Sequence, residues 1–350
     1  MIHLAIVSVL VIISTVLLGL FLTTANLLPA QASLQAETVD WLFGIHWWFI
    51  AFFVSLITVF IVYSVIVFRR RKGERGDGKY VTGNHRLELV WTFVPIAIVL
   101  WMAVIGASTL ADVERRDPQA ITVDVFASQW VWRFEYTVPV VGENGEEIMT
   151  AVSSDTLILP NNQQVVLRLH SQDVIHSFFV PEFRVKQDVL PGGEEFVREL
   201  RVTPKLEGEY KVRCAEICGR LHYDMQAGIK VVAGSEFNAW LIEQAAGCTL
   251  TDAECGQRWA QTYGCVACHS INGDEGVGPT WLGLFGSQVS MTDGSTVVAD
   301  EAYLMNSILK PNAQMVAGFP PGVMPQDFAD RLSEQEIQQI IAFIMSLGSQ

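Results

Sequence analysis

Cys214-Ala-Glu-Ile-Cys218-Gly-Arg-Leu-His222-Tyr-Asp-Met225 is the stretch on which the reading of this chain turns. Two thiols, an imidazole and a thioether lie within twelve residues, with a carboxylate between the thiols. Soft sulfur ligands together with imidazole suit copper, whereas a closed zinc site seldom takes a thioether. A mononuclear copper loop of this kind needs a single Cys. A second one, four residues on, lets two thiolates bridge two coppers. Such a pair shares one electron with little rearrangement, which is the chemistry of electron transfer. A further His must come from elsewhere, and Val174-Ile-His176-Ser-Phe-Phe-Val-Pro181 offers the best candidate. The plain alternative is a disulfide between Cys214 and Cys218 with an incidental His and Met.

These residues closely resemble the dinuclear copper loop, CuA, of subunit II of the haem–copper cytochrome c oxidases. The resemblance implies that His176, Cys214, Cys218, His222 and Met225 are side-chain ligands. It further implies that Glu216 binds through its backbone carbonyl.

The chain has 350 residues, half of them apolar, with the apolar content concentrated in the first third. That length allows two or three domains. A formal net charge of −14 argues against a nucleic-acid partner, whose phosphates need a basic surface. It suits solubility, or attraction of a basic redox partner. The six cysteines fall into three pairs, 214/218, 248/255 and 265/268, and two of these have metal or haem spacing. Cys248 and Cys255 are candidates for a local disulfide in an oxidising compartment.

Residues 1–32 are apolar almost throughout and end in Ala30-Gln-Ala32, so they read as a signal peptide cleaved after Ala32 or as an extra transmembrane helix. Residues 33–112 read as a transmembrane hairpin with spans at Trp41–Phe68 and Leu89–Ala111. Between them Arg69-Arg-Arg-Lys72, with Arg75 and Lys79, makes a basic loop that belongs in the cytoplasm. Everything after residue 112 then faces outward. Pro95 is expected to kink the second span or to sit near its first turn. By resemblance, Glu88 lies near the mouth of a proton channel in subunit I. A solvated carboxylate at a helix end is the alternative.

Residues 113–234 alternate in period two and read as short strands: Ile121-Thr-Val-Asp-Val-Phe, Trp130-Val-Trp132-Arg-Phe134-Glu-Tyr136, then Thr156–Leu159, Gln164–His170, Phe196–Val202 and Gly208–Arg213. A turn is expected at 142–145. The pattern implies an all-β sandwich, and the resemblance makes it a cupredoxin. Trp130 matches the family's aromatic through which electrons enter, whereas Trp132 and Phe134 read as core. His170 ends a strand outside the ligand motif and reads as non-ligating.

Residues 235–262 read as a helix-prone connector. In residues 263–350, Cys265-Val-Ala-Cys268-His269 is the c-type haem attachment motif: the thiols form thioethers and His269 binds iron. Gly278-Pro-Thr-Trp281 resembles the loop that supports this His. Met324, 55 residues past His269 and followed by Pro325, is the candidate sixth ligand, and Met315 is its rival. An amphipathic helix is expected over Ser333–Leu347. The spacing suits an all-α class I cytochrome c domain.

The whole reads as a multi-domain membrane protein: an α-helical transmembrane hairpin, a cupredoxin sandwich and a cytochrome c domain. The resemblance implies the electron-input subunit of a caa-type cytochrome c oxidase in the bacterial plasma membrane, its copper and haem domains on the outer side. Implied cofactors are dinuclear copper and covalent haem c. Implied partners are subunit I, which carries haem a and the oxygen-reducing, proton-pumping centre, subunit III, and an external donor such as cytochrome c or a small copper protein. A membrane-anchored electron carrier serving no oxidase is the alternative, but a mere anchor needs one helix.

Overall fold

The computed structural model describes residues 2–70, 72–73, 76, 78, 80, 82–141, 146–274 and 276–348. The turn expected at 142–145, and Arg71, Arg75 and Lys79 of the basic loop, lie outside the described residues.

The chain divides into two compact units. The first holds the residues up to 118 together with 181–185 and 201–206. Among its described residues, three helices are long and apolar enough to cross a membrane: α1 (Ile2–Thr24), α2 (Leu34–Val67) and α3 (His85–Val113). At 1.5 Å per residue, 23 residues reach about 34 Å, enough for a hydrocarbon core. α1 packs antiparallel on α2. Gly19 lies against the Trp48 ring, where an added Cβ would come within 2.4 Å, and His3 Nδ1 meets the Tyr63 hydroxyl at 2.8 Å near the opposite ends. Pro95 lies well inside α3.

The segment between α1 and α2 is tied down. Ala32 N–H donates to the Glu182 carbonyl (3.0 Å) and its own carbonyl accepts from Lys205 N–H (2.9 Å). Ser33 caps α2 by accepting from Ala36 N–H, and its hydroxyl donates to the Phe183 carbonyl (2.9 Å). Arg184 donates twice to Asp40 (2.8 and 3.1 Å). At the start of α3, Asn84 Oδ1 accepts from Leu87 N–H while Glu88 Oε1 accepts from Asn84 N–H, so the Glu88 carboxylate completes a reciprocal helix cap.

Ten strands form two sheets: β1 (Ile121–Ser128), β2 (Val131–Val141), β3 (Glu147–Ser154), β4 (Leu157–Pro160), β5 (Val165–Ser171), β6 (His176–Val180), β7 (Val185–Val189), β8 (Arg198–Val202), β9 (Gly208–Cys214) and β10 (Gln226–Val232). The orders are β3-β2-β1-β5-β8 and β4-β10-β9-β6-β7. The period-two pattern delivers its apolar side to the interior: Val123, Val125 and Ala127 of β1 are buried, with Phe134, Leu167, Leu169 and Phe178. Tyr136 is buried as well, its hydroxyl donating to the Ile158 carbonyl and accepting from Ile158 N–H (2.9 and 2.7 Å). The sequence pattern did not single out β3, β6, β7 and β10.

Helix α4 (Gly234–Ala245) follows, with Trp240 edge-on to Tyr136 (5.0 Å), and a Cys248–Cys255 disulfide leads into α5 (Asp252–Thr262). Then come α6 (Cys265–Cys268), a small hairpin β11 (Gln288–Ser290) and β12 (Thr296–Val298), α7 (Glu301–Leu309), α8 (Phe328–Arg331) and α9 (Glu334–Ser346). α5 falls inside the stretch read as connector, but it packs on α9. Trp259 Nε1 donates to Gln339 Oε1 (2.8 Å), and Gly256 sits so close to α9 that an added Cβ would lie 1.8 Å from the Gln339 carbonyl oxygen. The contact requires glycine. Gly256→Ala should force α5 and α9 apart and destabilise this domain by about 2 kcal/mol or more, read from the Trp259 fluorescence midpoint in a urea titration. An unchanged midpoint would show that the helices yield freely.

Candidate functional site

The sulfur cluster is built by strand pairing. β9 and β10 are antiparallel neighbours, and the ladder is closed at its end by a hydrogen bond from Cys214 N–H to the Met225 carbonyl (3.0 Å). The intervening loop is thereby pinched at its base, and Cys214 and Met225 both point inward and are buried. β6 pairs with β9 on the other side, with Phe178 opposite Cys214 and Ala215 N–H donating to the Ser177 carbonyl (3.0 Å). This brings His176, the first residue of β6 and fully buried, to the same end of the sheet.

The distances are short and even. Cys214 Sγ lies 3.7 Å from Cys218 Sγ, 3.9 Å from His176 Nδ1 and 3.2 Å from the Glu216 carbonyl oxygen. Cys218 Sγ lies 3.6 Å from His222 Nδ1 and 3.7 Å from Met225 Sδ. All six residues expected from the sequence are brought together. Both thiols are free, which disposes of the disulfide alternative. A metal about 2.3 Å from each sulfur would set tetrahedral neighbours about 3.7 Å apart, so the cluster has the spacing of a shared coordination sphere.

Two residues that hydrogen-bond to this cluster were not read from the sequence. Asp173 Oδ1 accepts from His176 Nε2 (2.8 Å), which orients the ring with Nδ1 toward the thiols. Burial works against ionisation of Asp173, but hydrogen bonds from His176 and from the backbone N–H groups of Gln129 and Val174 hold its carboxyl below the usual range. Gln129 Nε2 donates to the Cys218 carbonyl (2.6 Å). The local signal for Asp173 is weak: a carboxylate three residues before a candidate ligand, in a turn where it caps Val174 N–H (2.7 Å).

The thiols differ sharply. Burial opposes ionisation of Cys214, but hydrogen bonds from His176 and neighbouring groups prevail and bring it down to about 6. Burial, and the neighbouring Cys214, push Cys218 up to about 12. Trp132 is buried edge-on to His176 (6.3 Å) and Phe178 (5.6 Å), and Phe134 is core. Trp130 is half-buried against Gly219. His170 bonds Asp124 (2.7 Å), stacks on Phe126 and stays outside the cluster.

A second site is an apolar crevice lined by Cys265, Cys268, His269 and Met324, with Met315 and Trp281 also in its wall. His269 is fixed: its Nδ1 bonds the Pro279 carbonyl (2.7 Å), its ring stacks on Trp281 (5.1 Å), and a Cβ on Gly278 would strike it at 2.7 Å. Nε2 is left for a ligand. Burial lowers the His269 pKa, which favours the neutral, metal-binding form, and burial pushes Cys265 up to about 12.

Two outcomes follow. Metal uptake must displace the proton held on Cys218 and any proton shared between Cys214 and His176, so it should release protons and tighten as the pH rises. Calorimetry in buffers of different ionisation enthalpy measures this, and uptake without proton release at neutral pH would contradict it. Asp173→Asn should weaken metal binding by about 10- to 100-fold with the fold intact, read by competition with a chelator.

Three families match along the chain. The cytochrome c oxidase subunit II transmembrane domain matches residues 22–108, the subunit II periplasmic domain 121–232, and cytochrome c 253–348. Cytochrome c oxidase subunit 2 of Bacillus sp. strain PS3 is 33% identical over 219 residues, covering 58% of this chain and 59% of that protein. The subunit 2 of Thermostichus vulcanus is 30% identical over 275 residues (63% of this chain, 79% of that one). That of Alkalihalophilus pseudofirmus is 29% identical over 304 residues (83% and 82%). With its membrane helices, a two-sheet β-sandwich ending in a sulfur–imidazole cluster and a C-terminal CxxCH crevice, this chain belongs to the cytochrome c oxidase subunit II family and carries a fused cytochrome c domain.

Proposed function

We propose that this chain is the electron-input subunit of a caa-type respiratory oxidase, relaying electrons from an external donor, through haem c and then dinuclear copper, to haem a of subunit I. The observation that carries this is the presence, in one compact unit, of the six-residue cluster at 214–225 and 176 and of the CxxCH crevice. Bound copper and haem supply the redox chemistry. The chain supplies everything else.

Cys214 and Cys218 would hold the coppers, with His176, His222, Met225 and the Glu216 carbonyl completing the set. Asp173 holds the His176 ring in place, and the buried surroundings of Cys214, Cys218 and Met225 keep water from the sulfurs. Cys265 and Cys268 would anchor the haem, and His269 and Met324 would face its iron. Met/His ligation favours the reduced state and raises the potential. We assign α1 as a further membrane span beside the hairpin, and start the haem domain at α5 rather than after it. Reduction of oxygen and proton pumping would belong to subunit I, with subunit III as a further partner and cytochrome c or a small copper protein as donor. Glu88, as a helix cap, would face that assembly at the cytoplasmic edge.

Purification of the tagged chain from membranes tests the assignment. Subunit I and the absorption bands of both haem a and haem c should copurify, whereas a chain carrying haem c alone would refute an oxidase role. Met324→Ala should leave the haem covalently attached and lower its midpoint potential in a redox titration. If Met315→Ala does so instead, the ligand is Met315.

A further inference from the structure

The tight turn between β1 and β2 belongs to both sites. Gln129 backbone N–H donates to Asp173 Oδ2 (2.7 Å), and Asp173 in turn accepts from His176. The Gln129 side chain donates to the carbonyl of Cys218 (2.6 Å). The same residue lines the crevice that holds Cys265 and His269. Its neighbours press on the attachment helix: a Cβ on Gly264 would lie 2.6 Å from Val131, and Trp130 shares a cavity with Val266 and Ala267. Gly219 makes the approach feasible. Its φ is +123°, and an added Cβ would lie 2.8 Å from Gln129 Nε2 and 3.1 Å from the Trp130 ring.

We propose that Gln129 is the bridging residue that couples the haem crevice electronically to the copper loop. Electron tunnelling decays less steeply along covalent and hydrogen bonds than across gaps. Gln129 offers bonded routes to two expected ligands, Cys218 through its carbonyl and His176 through Asp173. Trp130, the residue that the sequence singled out, touches the loop at Gly219 by packing, and its indole N–H is buried with no hydrogen-bond partner among the described residues. The step is one electron: iron is oxidised by one, the copper pair is reduced by one, and no proton or covalent bond changes. This inference rests on the electron-relay reading above.

The test uses the intact oxidase complex carrying Gln129→Met, which keeps side-chain length and removes the direct side-chain bond to the Cys218 carbonyl, the backbone bond to Asp173 staying in place. Three readouts are needed: copper content with its electron paramagnetic resonance spectrum, the haem midpoint potential, and the haem-to-copper rate after flash photoreduction of the haem. The expected result is unchanged copper and potential with a rate slowed about tenfold or more, and a smaller slowing in Trp130→Phe. A parental rate in Gln129→Met, or a larger effect in Trp130→Phe, overturns the bridge. Loss of copper from Gln129→Met also overturns it, in favour of a role in holding the loop. If the unsubstituted complex shows no haem-to-copper transfer at all, the relay reading itself falls, and the bridge with it.

Discussion

The backbone hydrogen bond from Cys214 N–H to the Met225 carbonyl is the constraint on which the site depends. It ends the β9–β10 ladder and turns the following ten residues into a closed loop whose two ends face inward. Cys218 and His222 then have nowhere to go but across the mouth of the sandwich. His176 is delivered independently by the β6–β9 pairing, so the sheet register fixes where both halves of the expected ligand set meet. A one-residue slip in either ladder would send a ligand to the opposite face.

A second constraint joins the haem domain to the sandwich. Arg133 of β2 is almost fully buried, ion-paired with Glu135, and lies over the Phe126 ring at 4.3 Å and the Tyr263 ring at 5.5 Å. Tyr263 caps α5, immediately before the attachment motif. Burial, with Arg331 nearby, pulls the Arg133 guanidinium down to about 10, so it stays charged at neutral pH. A buried charge is tolerable because a carboxylate and two aromatic faces replace its water. Arg331 of α8 adds a hydrogen bond to Gln172 (2.7 Å) from the opposite domain. These contacts seat the cytochrome c domain on the sandwich rather than leaving it a tethered passenger.

Much of this was legible in the sequence because the chemistry is local. Cys214 to Met225 and Cys265 to His269 are short motifs whose spacing survives any tertiary arrangement, and apolar runs of twenty or more residues announce membrane helices directly. Strands with firm alternation, such as Ile121–Ser128, were equally clear. β10 was not, because Gly228 interrupts the run before Ile229 and Val231, and β6 and β7 are only five residues each. Asp173 and Gln129 were invisible for a different reason. Their importance lies in hydrogen bonds across 44 and 89 residues of sequence, which only the paired sheets create. α5 read as connector because its polar face and disulfide mask the Gly256 contact with α9.

The central claim is a dinuclear copper site and a covalent haem in one polypeptide. Counting copper and haem in the purified chain, and recording the electron paramagnetic resonance spectrum of the copper, tests it most directly. The account predicts two coppers per haem and one unpaired electron shared over both nuclei, visible as mixed-valence hyperfine structure. One copper per haem, or the hyperfine pattern of a single copper nucleus, would contradict it.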